Sequence, residues 1–173
     1  MGSKTLEEID EAFFDNHFNL NVKSPLFLTQ AAVTHMGPGQ SFVMAFRNGG
    51  LYHVSLGSRV IFFSTGLASD TTVLPNALVY VGSKGAVEQF TRVLSKDLAT
   101  KGINVNCVSP GPTDTPLFRQ GKPEALIKRI TGASPFNRLG QADDIGGVVT
   151  FLAGPEAAWV SGQSIRINGA SVV

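Results

Sequence analysis

The sequence predicts an α/β protein, an incomplete doubly wound parallel sheet with flanking helices. Three short β-prone runs carry this prediction, and they read RVIFF, INVNCV and SIRIN. The first two are short, unbroken β-prone runs, which are typical of strands in a parallel sheet buried on both faces. Segments with helical apolar spacing separate them, and strands that alternate with such helices imply right-handed crossovers between parallel strands.

Composition narrows the class of protein further. The chain has 173 residues, a net charge of +1, 43% hydrophobic residues, 16% charged residues and one cysteine. This length fits one domain, the low charge argues against disorder, and no cluster of Lys and Arg indicates a nucleic-acid surface. No apolar run approaches membrane-spanning length, the acidic N-terminus has no signal-peptide core, and the lone Cys107 offers neither a disulfide nor a metal spacing. We therefore expect a single-domain cytoplasmic protein without nucleic-acid, membrane or metal partners.

The N-terminal segment predicts a helix that starts near residue 6 and continues to about residue 36. Its opening, TLEE, has the capping-box pattern, in which Thr5 caps the amides ahead of it while Glu8 reaches back. An apolar stripe of helical spacing follows. Pro25 interrupts this stripe, because proline has no amide hydrogen to donate to the carbonyl of Asn21. A kink or break is expected there.

Residues 37–58 differ from their surroundings, because they are rich in glycine and turn residues. They contain two short apolar runs that could pair as a weak hairpin across Asn48, Gly49 and Gly50. The first strand is expected at residues 59–63, and a loop at residues 64–77.

The second half of the chain alternates helices and strands. The expected elements, in order, are a helix over residues 78–100 ended by Gly102, a strand over 103–108, a helix over 122–130, a helix opened by Asp143 and Asp144, and a strand over 164–168. Trp159, close to the last strand, is expected to be a packing residue.

Tyr80 and Lys84 are the residues with the clearest chemistry. They stand four apart at the start of a predicted helix, so their side chains lie on one face. A free phenol has a pKa of about 10 and is only about one part in a thousand ionised at neutral pH. A neighbouring ammonium lowers that pKa and makes the phenol a usable proton donor and acceptor. The alternative is an exposed tyrosine beside a solvated lysine, since this spacing also arises by composition alone.

The surroundings of this pair resemble the short-chain dehydrogenase/reductase family. The family's motif order is a Tyr-x-x-x-Lys helix that leads into a strand ending in Pro-Gly. This order is present in the stretch YVGSKGAVEQFTRVLSKDLATKGINVNCVSPGPTDT, which is preceded by NVKSPLFLTQAA and RVIFFST. Asn21, Asn106 and the terminal RINGA also match. The resemblance covers residues 6–36 and 59–173. It implies a Rossmann-like fold and an oxidoreductase that interconverts a small-molecule carbonyl and its alcohol with NADP or NAD.

The resemblance also implies roles for individual residues. Tyr80 would be the general acid/base, while Lys84 would lower its pKa and bind the nicotinamide ribose hydroxyls. Asn21 would hold a relay water through its backbone carbonyl, which agrees with the missing amide of Pro25. A polar residue beside a kink is the alternative interpretation of Asn21.

Two further parts of the chain match the family's site. Pro110, Gly111 and Thr113 match the turn that meets the nicotinamide, where glycine permits close backbone approach. A strand that simply ends in Pro-Gly is the alternative. Counting along RVIFF places Thr65 at the family's substrate-orienting serine, with Ser64 immediately before it. The following loop is longer than usual, so both hydroxyls remain candidates, and Ser64 is preferred by residue type.

The family's N-terminal strand and its turn, TG-x-x-x-G-x-G, have no counterpart in the 173 residues. That turn brings backbone amides to the cofactor pyrophosphate, and the residue that selects NAD or NADP follows it. We therefore expect a truncated domain with an untypical insertion at 37–58, each of them either genuine or an artefact of the gene model. Both NAD and NADP stay open as the cofactor, and so does the identity of the substrate.

Two classes of function remain open at this point. One is an active reductase. The other is an inactive fragment, or an oligomerisation module that depends on a partner. The family forms a homo-oligomer through the helices around 12–36 and 78–100, and the same association is expected here.

Overall fold

A parallel sheet lies at the centre of the protein. The computed structural model describes residues 2–36 and 58–173, and the hairpin predicted across Asn48 to Gly50 lies outside this part of the chain. Within it, three strands pair side by side in the order β1 (Arg59–Phe63), β2 (Asn104–Pro110) and β3 (Ser164–Ile167). Both pairs are parallel. The predicted parallel α/β fold is therefore confirmed.

Helices cover both faces of this sheet. They are, in chain order, α1 (Glu11–Phe18), α2 (Ser24–Val33), α3 (Leu78–Asp97), α4 (Pro116–Arg119), α5 (Glu124–Ala133) and α6 (Ala142–Ala153). Helix α3 connects β1 to β2, and α4 to α6 connect β2 to β3. The short α4 was not expected from the sequence, and it begins where the Thr115 hydroxyl accepts a hydrogen bond from the Phe118 amide. Helix α5 extends to Ala133, beyond the predicted end at residue 130.

The first α-helix begins later than predicted. The capping box forms, because the Glu8 carboxylate accepts from the amide and the hydroxyl of Thr5 at 2.7 and 2.8 Å. It closes only a short 3-10 turn, Leu6–Glu8. Asp10 then acts as a second cap, accepting from the Phe13 amide at 2.7 Å. The predicted start near residue 6 is wrong, because the stronger helix signal is the acidic cap at Asp10.

The interruption predicted at Pro25 takes the form of a π-helical turn. Residues Asn19–Lys23 form this turn between α1 and α2, and the Ser24 amide donates to the carbonyl of Asn19, five residues back. Pro25 is the second residue of α2, where a missing amide is tolerated. The chain therefore stays helical through Pro25, and the irregularity is the wider π-helical turn before it. Turns of this kind are frequent at functional sites.

Each face of the sheet has its own apolar core. Val60, Phe62 and Cys107 project to one face, where they pack with residues of α2 and α3 such as Ala32 and Val87. Successive side chains of a strand point to opposite faces, so Ile61 and Val108 project to the other face and pack against Leu152 of α6. The prediction that β1 and β2 are buried on both faces is confirmed.

The prediction that Trp159 packs against the protein is wrong. Its side chain is 100% exposed. The backbone around it is nevertheless held, because Asn104 and Asn106 donate from their side-chain amides to the carbonyl of Val160 at 3.0 and 2.7 Å. The segment before β3 is therefore held by hydrogen bonds from these two asparagines to its backbone, and not by packing of the tryptophan side chain.

Candidate active site

The carboxyl ends of the three strands lie side by side, because the strands are parallel. Gly66 follows β1, Gly111 follows β2 and Asn168 follows β3. A Cβ built on Gly66 would lie 3.4 Å from the carbonyl oxygen of Pro110 and 3.7 Å from Nδ2 of Asn168. The three strand ends therefore form one continuous edge, which is where open α/β sheets bind ligands.

Gly111 is tightly enclosed at this edge. A Cβ there would lie 2.8 Å from Cβ and 2.9 Å from Cα of Asn168, closer than real side chains approach. The Gly111 amide also donates to the carbonyl of Ile167 at 3.0 Å. Glycine is required at position 111 because Asn168, in the turn after β3, occupies the space of a side chain there. The close approach of Gly111 to a nicotinamide stays a prediction.

Thr113 belongs to the same turn. Its side chain is buried, and its hydroxyl donates to the carbonyl of Gly111 at 2.9 Å. Its backbone pairs in parallel with Gly140, whose amide donates to the carbonyl of Pro112 at 2.9 Å. Pro110, Gly111 and Thr113 are therefore held together in one well-fixed turn.

Helix α3 places Lys84 against the end of β1. Lys84 is buried, and its ammonium donates to the carbonyl of Phe63 at 2.8 Å. The hydroxyl of Ser64 donates in the opposite direction, to the Lys84 carbonyl at 3.2 Å. Tyr80 lies one helical turn earlier on the same face and is partly exposed. The arrangement thus combines a fixed cation with an accessible phenol.

Ser64 and Thr65, the two candidate hydroxyls, have different surroundings although both are buried. The Ser64 hydroxyl donates its proton to α3, as described above. The Thr65 oxygen instead accepts from the Leu67 amide at 3.4 Å, where it caps a short 3-10 turn. A hydroxyl that accepts in this way still carries a proton that it can donate.

Asn21 reaches α3 through a serine that the sequence interpretation missed. Asn21 is buried in the π-helical turn, and its Nδ2 donates to the hydroxyl of Ser83 at 3.0 Å. The Ser83 hydroxyl donates in turn to the carbonyl of Tyr80 at 2.7 Å. The signal for Ser83 was its spacing, because a serine three residues after Tyr80 in a helix can bond back to the preceding turn.

A second set of polar side chains comprises half-buried Glu88 on α3, buried Ser109 on β2 and exposed Ser164 on β3. Glu88, one turn after Lys84, accepts from the hydroxyl of Ser109 at 3.0 Å, and the Ser109 and Ser164 hydroxyls lie 2.9 Å apart. Cys107 on β2 is fully buried. Desolvation, together with the negative charge of Glu88, raises the pKa of the Cys107 thiol to about 12. Such a thiol is not a nucleophile at neutral pH.

Residues 2–36 and 58–173 offer neither a metal cluster nor a membrane span. In these ranges no three His, Cys, Asp or Glu side chains are grouped so that they could hold a metal ion. Nor does a helix there have the length and apolar character needed to cross a membrane.

Known proteins related to this chain identify its family. The sequence model of the family described as enoyl-(acyl carrier protein) reductase matches residues 2–170. The hydroxynaphthalene reductase-like protein Arp2 of Metarhizium anisopliae is 35% identical over 98% of this chain and 61% of its own length. A chloroplastic NADPH-dependent aldehyde reductase-like protein of Arabidopsis thaliana is 33% identical over 97% of this chain and 56% of its own length. The chain belongs to the short-chain dehydrogenase/reductase family and spans roughly three fifths of these relatives.

Solved structures show the same fold. A short-chain dehydrogenase/reductase from Serratia marcescens superposes with a TM-score of 0.82 at 27% identity, over 99% of this chain and 61% of that one. The angucycline C-6 ketoreductase LanV, solved with bound NADP, gives a TM-score of 0.78 at 32% identity, over 98% of this chain and 58% of that one. The Rossmann-like class of the sheet is thereby confirmed.

Proposed function

We propose that the protein is an NAD(P)-dependent reductase of small-molecule carbonyl compounds, with Tyr80 as the general acid/base. The observation that carries this proposal is the hydrogen-bonded arrangement of Asn21, Ser83 and Lys84 around Tyr80 at the carboxyl edge of the sheet. It supports the proposal because it joins the π-helical turn and α3 to the end of β1, where this fold class binds its ligands.

The residues at this edge suit the nicotinamide end of the cofactor. An ammonium has three donors, so a Lys84 anchored on Phe63 can also donate to ribose hydroxyls, together with the Tyr80 phenol. The turn that contains Pro110, Gly111 and Thr113 would border the nicotinamide. When bound, the cofactor supplies the hydride that reduces the carbonyl carbon.

The protein's own residues would handle the proton. The Tyr80 phenol donates its proton to the carbonyl oxygen, and the fixed charge of Lys84 stabilises the phenolate that remains. The proton would return by way of the Asn21 carbonyl, to which Pro25 cannot donate. In the reverse direction the phenolate takes the proton of the alcohol.

Thr65 is the residue we assign to the orientation of the substrate. Its oxygen accepts from the Leu67 amide, and its proton can be donated to a substrate oxygen. Ser64, which residue type favoured, has its hydroxyl directed to the Lys84 carbonyl. We assign Ser64 to the docking of α3 on β1.

A second candidate function is a non-catalytic oligomerisation module. The observation in its favour is the exposure of large apolar side chains on the outer sides of the helices, with Phe14 at 43%, Phe27 at 54% and Val93 at 60%. These residues lie on α1, α2 and α3, through which we propose a homo-oligomer. Association by this surface is compatible with either function.

The role proposed for Tyr80 is tested by an activity measurement. A chimaera in which the cofactor-binding half of a short-chain reductase precedes Leu6 is assayed for carbonyl reduction with NADPH and NADH. Tyr80→Phe is expected to lower kcat by roughly 100-fold or more, because it removes only the oxygen that carries the proton. Tyr52→Phe, a change of the other tyrosine of the chain, is the matched control. Retained activity in Tyr80→Phe would contradict the proposal.

A further inference from the structure

Helix α3 begins without a side-chain cap. Its N-cap residue is Ala77, whose side chain has no acceptor, and no side-chain cap hydrogen bond is present there. Ser, Thr, Asp or Asn normally supplies that bond. The first turn of α3, which carries Tyr80, instead follows a 3-10 turn, Pro75–Ala77, and the Leu78 amide donates to the carbonyl of Pro75.

The hydroxyl of Ser83 links this first turn to a second element through the carbonyl of Tyr80. It donates to the carbonyl of Tyr80 at 2.7 Å and accepts from Nδ2 of Asn21 at 3.0 Å. Ser83 is 0% exposed and Asn21 is 6% exposed, so water does not substitute readily for either partner. One hydroxyl thus ties the first turn of α3 to the π-helical turn, from which Asn21 projects.

We propose that Ser83 is a positioning residue for Tyr80, and that its bridge to Asn21 holds the first turn of α3 in the geometry in which Lys84 and the helix N-terminus act on the phenol. The inference rests on the proposed role of Tyr80. Tyr80 is the third residue of α3, where the partial positive charge of the helix end favours an anion, and Lys84 adds a full charge one turn later. Both effects weaken if the first turn frays.

The test measures the ionisation of Tyr80 directly and needs no turnover. The chain contains two tyrosines, so Tyr52→Phe leaves Tyr80 as the only phenol, and its titration is followed by the near-ultraviolet absorbance of tyrosinate. In this background Tyr80 is expected to titrate below the free value of about 10. Ser83→Ala is expected to raise its pKa by roughly 0.5 to 1, while Ser83→Thr, which keeps the hydroxyl, leaves it unchanged.

Thr91 provides the matched control. It is buried on the same helix, at 1% exposure, and its hydroxyl donates back to the carbonyl of Val87 at 3.0 Å. Thr91→Ala therefore removes the same kind of hydrogen bond about two turns after Ser83, and it is expected to leave the pKa of Tyr80 unchanged. Asn21→Leu removes the other partner of the bridge and is expected to raise the pKa of Tyr80 without adding to the effect of Ser83→Ala.

The outcomes separate this inference from the proposed function. Suppose that Tyr80 titrates below the free value and Lys84→Met raises its pKa. An unchanged titration in Ser83→Ala, or an equal change in Thr91→Ala, then overturns the role of Ser83 alone. If Tyr80 titrates at the free value and Lys84→Met has no effect, the activated phenol and the role of Ser83 both fail. Should Ser83→Ala not fold, Asn21→Leu decides in the same way.

Discussion

At the scale of single residues, Gly111 shows how a distant part of the chain dictates one side chain. Asn168, 57 positions later in the sequence, occupies the space that any Cβ at residue 111 would need. Gly146 in α6 is the opposite case, because nothing lies within 4 Å of a Cβ built there.

The two glycines are therefore expected to respond in opposite directions to alanine. Gly111→Ala forces the turn after β2 away from Asn168, and we expect it to lower the free energy of unfolding by about 1 to 3 kcal/mol. Gly146→Ala is expected to raise it by up to about 1 kcal/mol, because alanine is the better helix former. Urea unfolding measures both, and equal effects of one sign would contradict the packing described for Gly111.

Cys107 carries a prediction about reactivity. The only thiol of the chain is fully buried in β2 with a pKa of about 12, and only a thiolate attacks a disulfide reagent. We expect no reaction with an aromatic disulfide reagent at pH 8 in the folded protein and one equivalent after unfolding in urea. Rapid labelling of the folded protein would show that β2 opens easily.

At the scale of elements, the start of α6 depends on one carboxylate. Asp144 accepts from the two terminal guanidinium nitrogens of Arg138 at 2.6 and 3.0 Å, and from the Gln141 amide at 2.6 Å. The bonds from Arg138, and then the one from Gln141, lower the pKa of Asp144 to about 2. The same residue thus caps α6 and ties it to the loop before it.

This lowered pKa fixes the sign of a pH dependence. A carboxyl group whose pKa is lower in the folded state stabilises the fold above its ordinary pKa of 3.8, and that stabilisation is lost as the pH falls towards about 2. Asp144→Asn is therefore expected to lower the Tm at pH 6, with a difference that shrinks between pH 4 and about 2. Asp143→Asn, a neighbouring change in the same first turn, is the control in thermal unfolding. A difference in Tm between Asp144→Asn and the unmodified chain that does not change with pH would contradict the ion pair.

At the scale of the whole molecule, two surfaces favour association. Among the residues that the structure describes, β1 pairs only with β2 and leaves its other edge without a strand, and such edges tend to pair with other chains. The outer sides of α1, α2 and α3 carry the exposed apolar residues noted above.

We expect the chain to form particles larger than its 18.3 kDa in size exclusion with light scattering. If the helices form the interface, Phe27→Asp combined with Val93→Asp reduces the particle mass. Phe151→Asp, a change of a similarly exposed residue on α6, leaves it unchanged. A monodisperse 18.3 kDa peak for the unmodified chain would contradict association by either surface.

Cofactor affinity is also a property of the whole chain. The 173 residues contain no TG-x-x-x-G-x-G turn, so the contacts proposed for Tyr80, Lys84 and Thr113 involve only the nicotinamide end. A charge-assisted hydrogen bond contributes about 1.5 to 3 kcal/mol, and without those to the pyrophosphate we expect a Kd above roughly 100 μM for NADPH. Titration calorimetry measures it, with a reductase that has the turn as the control. A low-micromolar Kd would show that this chain binds the pyrophosphate by other residues.

The sequence by itself determined the three strands, the longer helices and their order, but not the short α4. The three strands, the long α3 and the helix opened by Asp143 and Asp144 could be predicted, because β-prone runs and helical periodicity are properties of short stretches of chain. The spacing of Tyr80 and Lys84 was visible for the same reason. The later start of α1 was missed because two competing caps, Thr5 and Asp10, lie only five residues apart.

Only the tertiary structure decided which groups meet. The Ser64 hydroxyl donates to a carbonyl of α3, and the hydrogen bond between Asn21 and Ser83 joins residues 62 positions apart. Trp159 is fully exposed because no other part of the described chain covers it. Each of these is set by the packing of distant elements against one another. The local preference of a residue for helix or strand contains no information about such contacts. The residue types therefore indicated which side chains were candidates for the site, but they did not indicate what each side chain contacts.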